Sequence, residues 1–212
     1  VTPQTIITEV RYGIKDADAV SYRNSDTDLV LMVNRALKRM ALLRPDLFTT
    51  IGTITLVSGV TQTVASLGRI VEVFGVTGNN TVTEANRETL DQLTPTWRQA
   101  TAVAVPINWM RHSRNPSKFF VSPPSNGTGS LDAEYTITPP TYVLADAISL
   151  SDTYQPALVD MTIAEVEWAD DENVVNQRAE TFYKRAKEAL LGSLQERVVT
   201  DTEGGGIPKA ID

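Results

Sequence analysis

Apolar residues recur at helical spacing near both ends of the chain and at strand spacing between them. Ile6, Ile7, Val10 and Ile14 fall on one face of a helix expected over 5–18. Ser25 and Asp26 then supply N-cap chemistry, and Asp28 sits near the positive end of a second helix over about 27–44. Val30, Val33, Leu37, Met40 and Ala41 form its buried stripe, while Arg35, Lys38 and Arg39 point elsewhere. Pro45 ends it, because proline disfavours helical geometry at the preceding residue.

From 49 to 138 the texture changes. Short β-branched runs over 53–57, 70–74, 103–110, 119–121 and 131–137 alternate with Gly, Pro, Asn and Ser. That spacing predicts antiparallel strands in a small sandwich or barrel. Turns are expected at Ser58-Gly59 and Gly78-Asn79-Asn80, and one short helix over 86–92. Helical texture returns after Asp152. Pro156 suits a first turn, and Leu158, Met161, Ile163, Ala164 and Trp168 give apolar surface. A last helix over about 172–191 carries Val175, Ala179, Phe182, Ala186 and Leu190 as a seam.

Helices that cannot bury their stripes alone must pack together. The expected fold class is α+β: a four-helix bundle from 1–48 and 150–198, with an antiparallel β-module over 49–149 inserted in its second crossover. Residues 199–212, with Gly204, Gly205, Gly206 and Pro208, are too poor in large apolar groups to fold alone and are expected to form a flexible arm.

The 212 residues include no cysteine, which excludes disulfides and thiolate metal sites, and one histidine, which excludes a His-rich metal cage. No apolar run approaches the roughly 18 residues of a membrane span. Val1-Thr2-Pro3-Gln4 has neither the basic nor the apolar stretch of a signal peptide. A soluble intracellular or virion-type protein is therefore expected. The formal net charge is −7, and residues 151–212 hold 6 basic and 13 acidic groups, the whole of that excess. A long-range field of this sign repels DNA, so a DNA-gripping role is not expected.

Candidate chemistry is sparse. Asp160, Glu165, Glu167, Asp170, Asp171 and Glu172 have the oxygens for a hard cation, but no calcium-loop pattern accompanies them. A solvated helix face or pairing between subunits is the preferred reading. His112 has no nucleophile motif to serve, and a surface or inter-strand role is expected. Gly204–Gly206 lacks the ending of a phosphate-binding loop, which favours flexibility. Asn79-Asn80-Thr81 and Asn126-Gly127-Thr128 match the glycosylation pattern and are read as turn residues. Arg35, Lys38 and Arg39 either form a solvated face or meet acidic residues of a neighbouring copy, Glu165, Asp171 and Glu172 among them. No catalytic group, cofactor or metal is expected.

Several local motifs then line up in order: Arg44-Pro45-Asp46, Leu56-Val57-Ser58-Gly59-Val60-Thr61-Gln62, and Arg87-Glu88-Thr89-Leu90-Asp91 with Pro95 and Trp97. They continue with Asn115-Pro116-Ser117-Lys118-Phe119-Phe120-Val121, Pro123-Pro124 and Asp152-Thr153-Tyr154 with Ala157-Leu158. Asp171-Glu172 and Ala179 with Phe182-Tyr183 close the series. Over roughly residues 26–191 the chain resembles the head-to-tail adaptor proteins of short-tailed bacteriophages, the tail-tubular-protein-A-like connectors.

That resemblance implies a non-enzymatic virion protein, made in the host cytoplasm and located in the neck and tail. Its partners are copies of itself in a ring (usually twelve), the portal protein above, and a tail tube or nozzle protein below. Genomic DNA passes through the channel without specific binding, and no membrane is involved. The expected portal-docking arm includes Gly204, Gly205, Gly206, Ile207, Pro208 and Ile211, and the segment over 200–212 could reach at most roughly 45 Å when extended. Two other readings stay open: a tail or baseplate module that binds fibre proteins, and a cell-wall hydrolase.

Overall fold

A computed structural model describes residues 1–18, 20–64, 68–76, 81–169 and 176–203, with backbone alone at 176 and over 193–203. The chain is α+β and divides into two compact units, Val1–Leu47 with Pro139–Asp212, and Phe48–Thr138.

In the first unit, α1 (Pro3–Ile14) starts where Thr2 Oγ1 accepts the Thr5 amide and Pro3 occupies the first turn. It stops at Lys15, whose left-handed backbone (φ 60°) turns its N–H back to the last carbonyls. Helix α2 (Asp26–Leu43) starts at Ser25, whose Oγ accepts the Asp28 amide, and ends at Arg44 before Pro45. Its buried face is Leu29, Val33, Asn34, Ala36, Leu37 and Met40; Val30 and Ala41, expected inside, are half-buried.

Helix α4 (Gln155–Ala169) is central, packing against α1, α2 and α5 (Asn176–Glu203). It is enclosed on nearly every side from Ala157 to Val166 apart from Asp160, so it is not the one-sided helix its spacing suggests. Close approach to α1 depends on Gly13: a Cβ there would stand 2.5 Å from Ile163 Cδ1. On α5, Ala179, Ala186 and Leu190 are fully buried and Phe182 is half-buried. Val175 lies outside the described residues. The helix continues to Glu203, beyond the expected start of an arm at 199. Residues 139–150 also belong to this unit. Leu144 O accepts the Gln4 amide, and the Ile148 amide donates to Val1 O.

The second unit has two open sheets rather than a closed barrel. One is β1 (Thr49–Thr55), β7 (Ser130–Thr136) and β3 (Ile70–Gly75), in the order β1-β7-β3. The other is β2 (Gly59–Thr63), β6 (Lys118–Ser125), β5 (Asn108–Arg111) and β4 (Thr83–Glu84), in the order β2-β6-β5-β4. Both contribute to one core that includes Ile54, Val73 and Leu131 from the first sheet and Trp109, Phe119 and Val121 from the second. Pairing is antiparallel except between β4 and β5, which run parallel. The expected strand over 103–110 is reduced to Asn108–Arg111; Pro106 interrupts it, and Val103 makes only an isolated parallel bridge to Ser125. Helix α3 (Arg87–Leu93) starts at Asn86, whose side-chain oxygen accepts the Glu88 and Thr89 amides. The turn expected at Gly78-Asn79-Asn80 lies outside the described residues.

Candidate interaction surface

Helix α2 carries charged side chains on two differently placed faces. Leu31, Arg35, Lys38 and Leu42 are all exposed, and their spacings of four, three and four place them on one outward stripe. Leu42 is 83% exposed and Leu31 49%, so two apolar residues flank two cations. Among the described residues, no carboxylate pairs with Arg35 or Lys38; Arg35 reaches only Met32 Sδ, at 3.9 Å.

Arg39 leaves that stripe, because one residue beyond Lys38 is about 100° around the helix. Its guanidinium turns to α4, pairs with Glu165 and lies 4.9 Å from the Trp168 ring centroid and 5.7 Å from that of Tyr183. The Glu165 side chain is only 8% exposed. The structure therefore joins Arg39 and Glu165 within one chain, and both groups serve the packing of α2 on α4. A buried carboxylate needs such a cation to offset its lost hydration.

The other acidic residues of α4 are also turned inward. Asp160 pairs with Arg185 at 3.4 Å, and Glu167 with Arg178 at 3.3 Å. Burial pushes the Asp160 carboxyl above its ordinary range, and the Arg185 charge only partly opposes this. Each of these three carboxylates thus has a basic partner within the chain, and their side chains are only 8–16% exposed. Among the described residues, no group of three or more His, Asp or Glu is placed to hold a metal ion. Asp170, Asp171 and Glu172 lie outside the described residues, as do Gly204, Gly205, Gly206, Ile207, Pro208 and Ile211.

Arg44 is the polar anchor at the end of α2. It is 1% exposed, forms a two-pronged pair with Asp46, and donates to the Leu190 carbonyl of α5. The hydrogen bonds and charge of Asp46 raise the guanidinium pKa further, although burial opposes this. Arg11 similarly ties α1 to the chain before α2, reaching Asp16 at 2.9 Å and Asp26 at 2.7 Å. The sequence singled out the Arg44-Pro45-Asp46 motif but not this role, and nothing in spacing alone signals the Leu190 contact.

No helix among the described residues is long and apolar enough to cross a membrane. No protein-family model matches the chain, and no curated protein matches it significantly.

Proposed function

We propose that the protein is a structural head-to-tail adaptor of a bacteriophage virion, acting as a ring of identical copies that docks on a portal and carries the tail. The observation that carries this reading is the outward stripe Leu31-Arg35-Lys38-Leu42, on a helix whose opposite face is fully packed. Such a stripe suits a protein partner: leucines supply apolar burial at roughly 25 cal/mol per Å², and the cations set orientation. The ordered motifs from Arg44-Pro45-Asp46 to Phe182-Tyr183 support the same reading.

In this proposal α1, α2, α4 and α5 form a four-helix bundle, and the two-sheet unit is an inserted sandwich presented to the next protein in the stack. The occupant of the α2 stripe is the neighbouring copy, for which Asp171 and Glu172 are candidate carboxylates. A closed ring repeats one heterologous contact at every junction, so contacts that are weak singly give a stable collar. The function needs no bond chemistry.

The test is to mix the purified full-length protein with portal rings and image the product by electron microscopy. A collar of added density with the portal's rotational symmetry is expected. Bare portal rings at micromolar protein would refute the proposal.

A further inference from the structure

The basic side chains of the sheet unit are scattered in sequence and gathered in space. Arg69, Arg111, His112, Arg114 and Lys118 line one cavity of about 180 Å³. Residues 47–150 carry six Lys and Arg in all, and four of them stand here. The remaining two, Arg87 and Arg98, pair with Asp91 on and beside α3. Glu84 neutralises Arg111 at 2.7 Å. Among the described residues, no carboxylate pairs with Arg69, Arg114 or Lys118.

Hydrogen bonds within the protein hold the backbone around the cavity. The Arg69 amide donates to Thr136 Oγ1 and its carbonyl accepts the Thr136 amide, both at 2.8 Å. The Ile70 amide donates to the Pro116 carbonyl at 3.2 Å, which ties this segment to the β5–β6 turn. Arg111 braces it from the other side through the Ile70 and Val71 carbonyls. Within the turn, His112 Nδ1 accepts the Arg114 and Asn115 amides at 3.1 and 3.0 Å, and the ring lies 5.1 Å from that of Phe120. With Nδ1 occupied as an acceptor, the imidazole hydrogen falls to Nε2, which becomes a fixed donor. Asn115 Oδ1 accepts both the Ser117 amide and hydroxyl, locking the turn's far end.

We propose that this cavity is an oxyanion site that takes a phosphate group, either free or as the phosphodiester of a nucleic-acid strand. Three cations with no carboxylate partner among the described residues, around a small opening, favour an anion between them, and guanidinium forks match phosphate oxygens in pairs. A tetrahedral phosphate presents oxygens in several directions and can meet Arg69, Arg114, Lys118 and the His112 Nε2–H together. A planar carboxylate has two oxygens and can satisfy fewer of these donors. The chain's net charge of −7 conceals the site, because the field here is local. The proposal is independent of the head-to-tail reading.

His112 is the only histidine in the chain, so the nuclear magnetic resonance signal of its Cε1 proton is assigned without ambiguity. Inorganic phosphate, titrated into the full-length protein at constant ionic strength and pH, is expected to shift that signal saturably. The double variant Arg69→Gln/Arg114→Gln is expected to bind about tenfold more weakly or worse, with an unchanged melting temperature. A labelled oligothymidylate that competes with phosphate identifies a strand as the source; phosphate binding without strand binding identifies the free anion. A missing saturable shift, undiminished binding by the double variant, or tighter binding of polyglutamate than of phosphate would each overturn the proposal.

Discussion

The side-chain amide of Asn34 brackets the backbone of Tyr142 as a neighbouring strand would. Its Oδ1 accepts the Tyr142 amide at 2.8 Å, and its Nδ2 donates to the Tyr142 carbonyl at 2.9 Å. Both residues are buried, and 108 positions separate them. One polar side chain thus pins the segment that re-enters the helical unit to the inner face of α2.

Replacing Asn34 with alanine leaves both Tyr142 groups buried without partners. At about 1–3 kcal/mol for each unsatisfied group, Asn34→Ala is expected to lose about 2–4 kcal/mol. Asn34→Asp, which keeps the acceptor but not the donor, should also be destabilised. Urea denaturation followed by circular dichroism measures both. A loss below about 1 kcal/mol for the alanine variant would show that this bracket does not hold the segment.

The acidic residues predict opposite pH responses. The Asp160 carboxyl is raised above its ordinary value of 3.8 by burial, so folding disfavours its charged form. Its penalty is absent below 3.8 and grows as pH rises through the raised value. Asp16 behaves inversely. Burial works against its ionisation, but hydrogen bonds from Arg23 and Asn24 and the charge of Arg11 prevail, and its pKa is lowered. Its stabilisation is present above 3.8 and lost as pH falls through the depressed value. Relative to the wild type, Asp160→Asn should therefore gain melting temperature between acid and neutral pH, and Asp16→Asn should lose it. Thermal melts at several pH values check both signs.

Gly129 is a position in the sheet unit that cannot accept a side chain without moving the backbone. A Cβ there would fall 1.8 Å from the Ala104 carbonyl oxygen, and backbone cannot yield as a flexible side chain does. Gly129→Ala is expected to cost about 3 kcal/mol or more, by separating the chain entering β7 from the loop that carries Ala104. Hydrogen exchange should show lost protection at Leu56, whose amide donates to the Gly129 carbonyl. Unchanged exchange there would count against this account.

The helix starts were legible because caps are local chemistry: Ser25 and Asn86 bond amides within three residues. Strands β1, β3, β6 and β7 were legible from β-branched runs. Strand β2 was not anticipated, because Gly59 (φ 111°) read only as part of a turn although it also opens the strand. Strand β4 has two residues, too few for a period of two to register. The apolar residues of α4 gave the helix but not its central position, which depends on neighbours on several sides. In the candidate surface, Arg35 and Lys38 stayed outward, whereas the inward turn of Arg39 depends on Glu165, 126 positions away. The basic cavity was invisible for the same reason, since Arg69 reaches it from the chain just before β3, Arg111 from β5 and Lys118 from β6.

The split between Arg35 and Arg39 gives a sharp test of what α2 is for. Arg39→Ala removes the cation from a buried carboxylate and a neighbour from Trp168, and should cost the isolated protein about 2 kcal/mol. Glu165→Gln in the same background should recover part of that loss, as expected for a pair acting within the chain. Arg35→Glu/Lys38→Glu breaks no ion pair among the described residues, so its stability should change by less than about 0.5 kcal/mol. If the stripe meets a neighbouring copy, this double reversal should nonetheless abolish collar formation on portal rings, and Leu42→Ser should weaken it. Sedimentation velocity with electron microscopy separates the two effects. Normal collars from the charge-reversed protein would remove α2 from the subunit interface, whatever the stability of the variant.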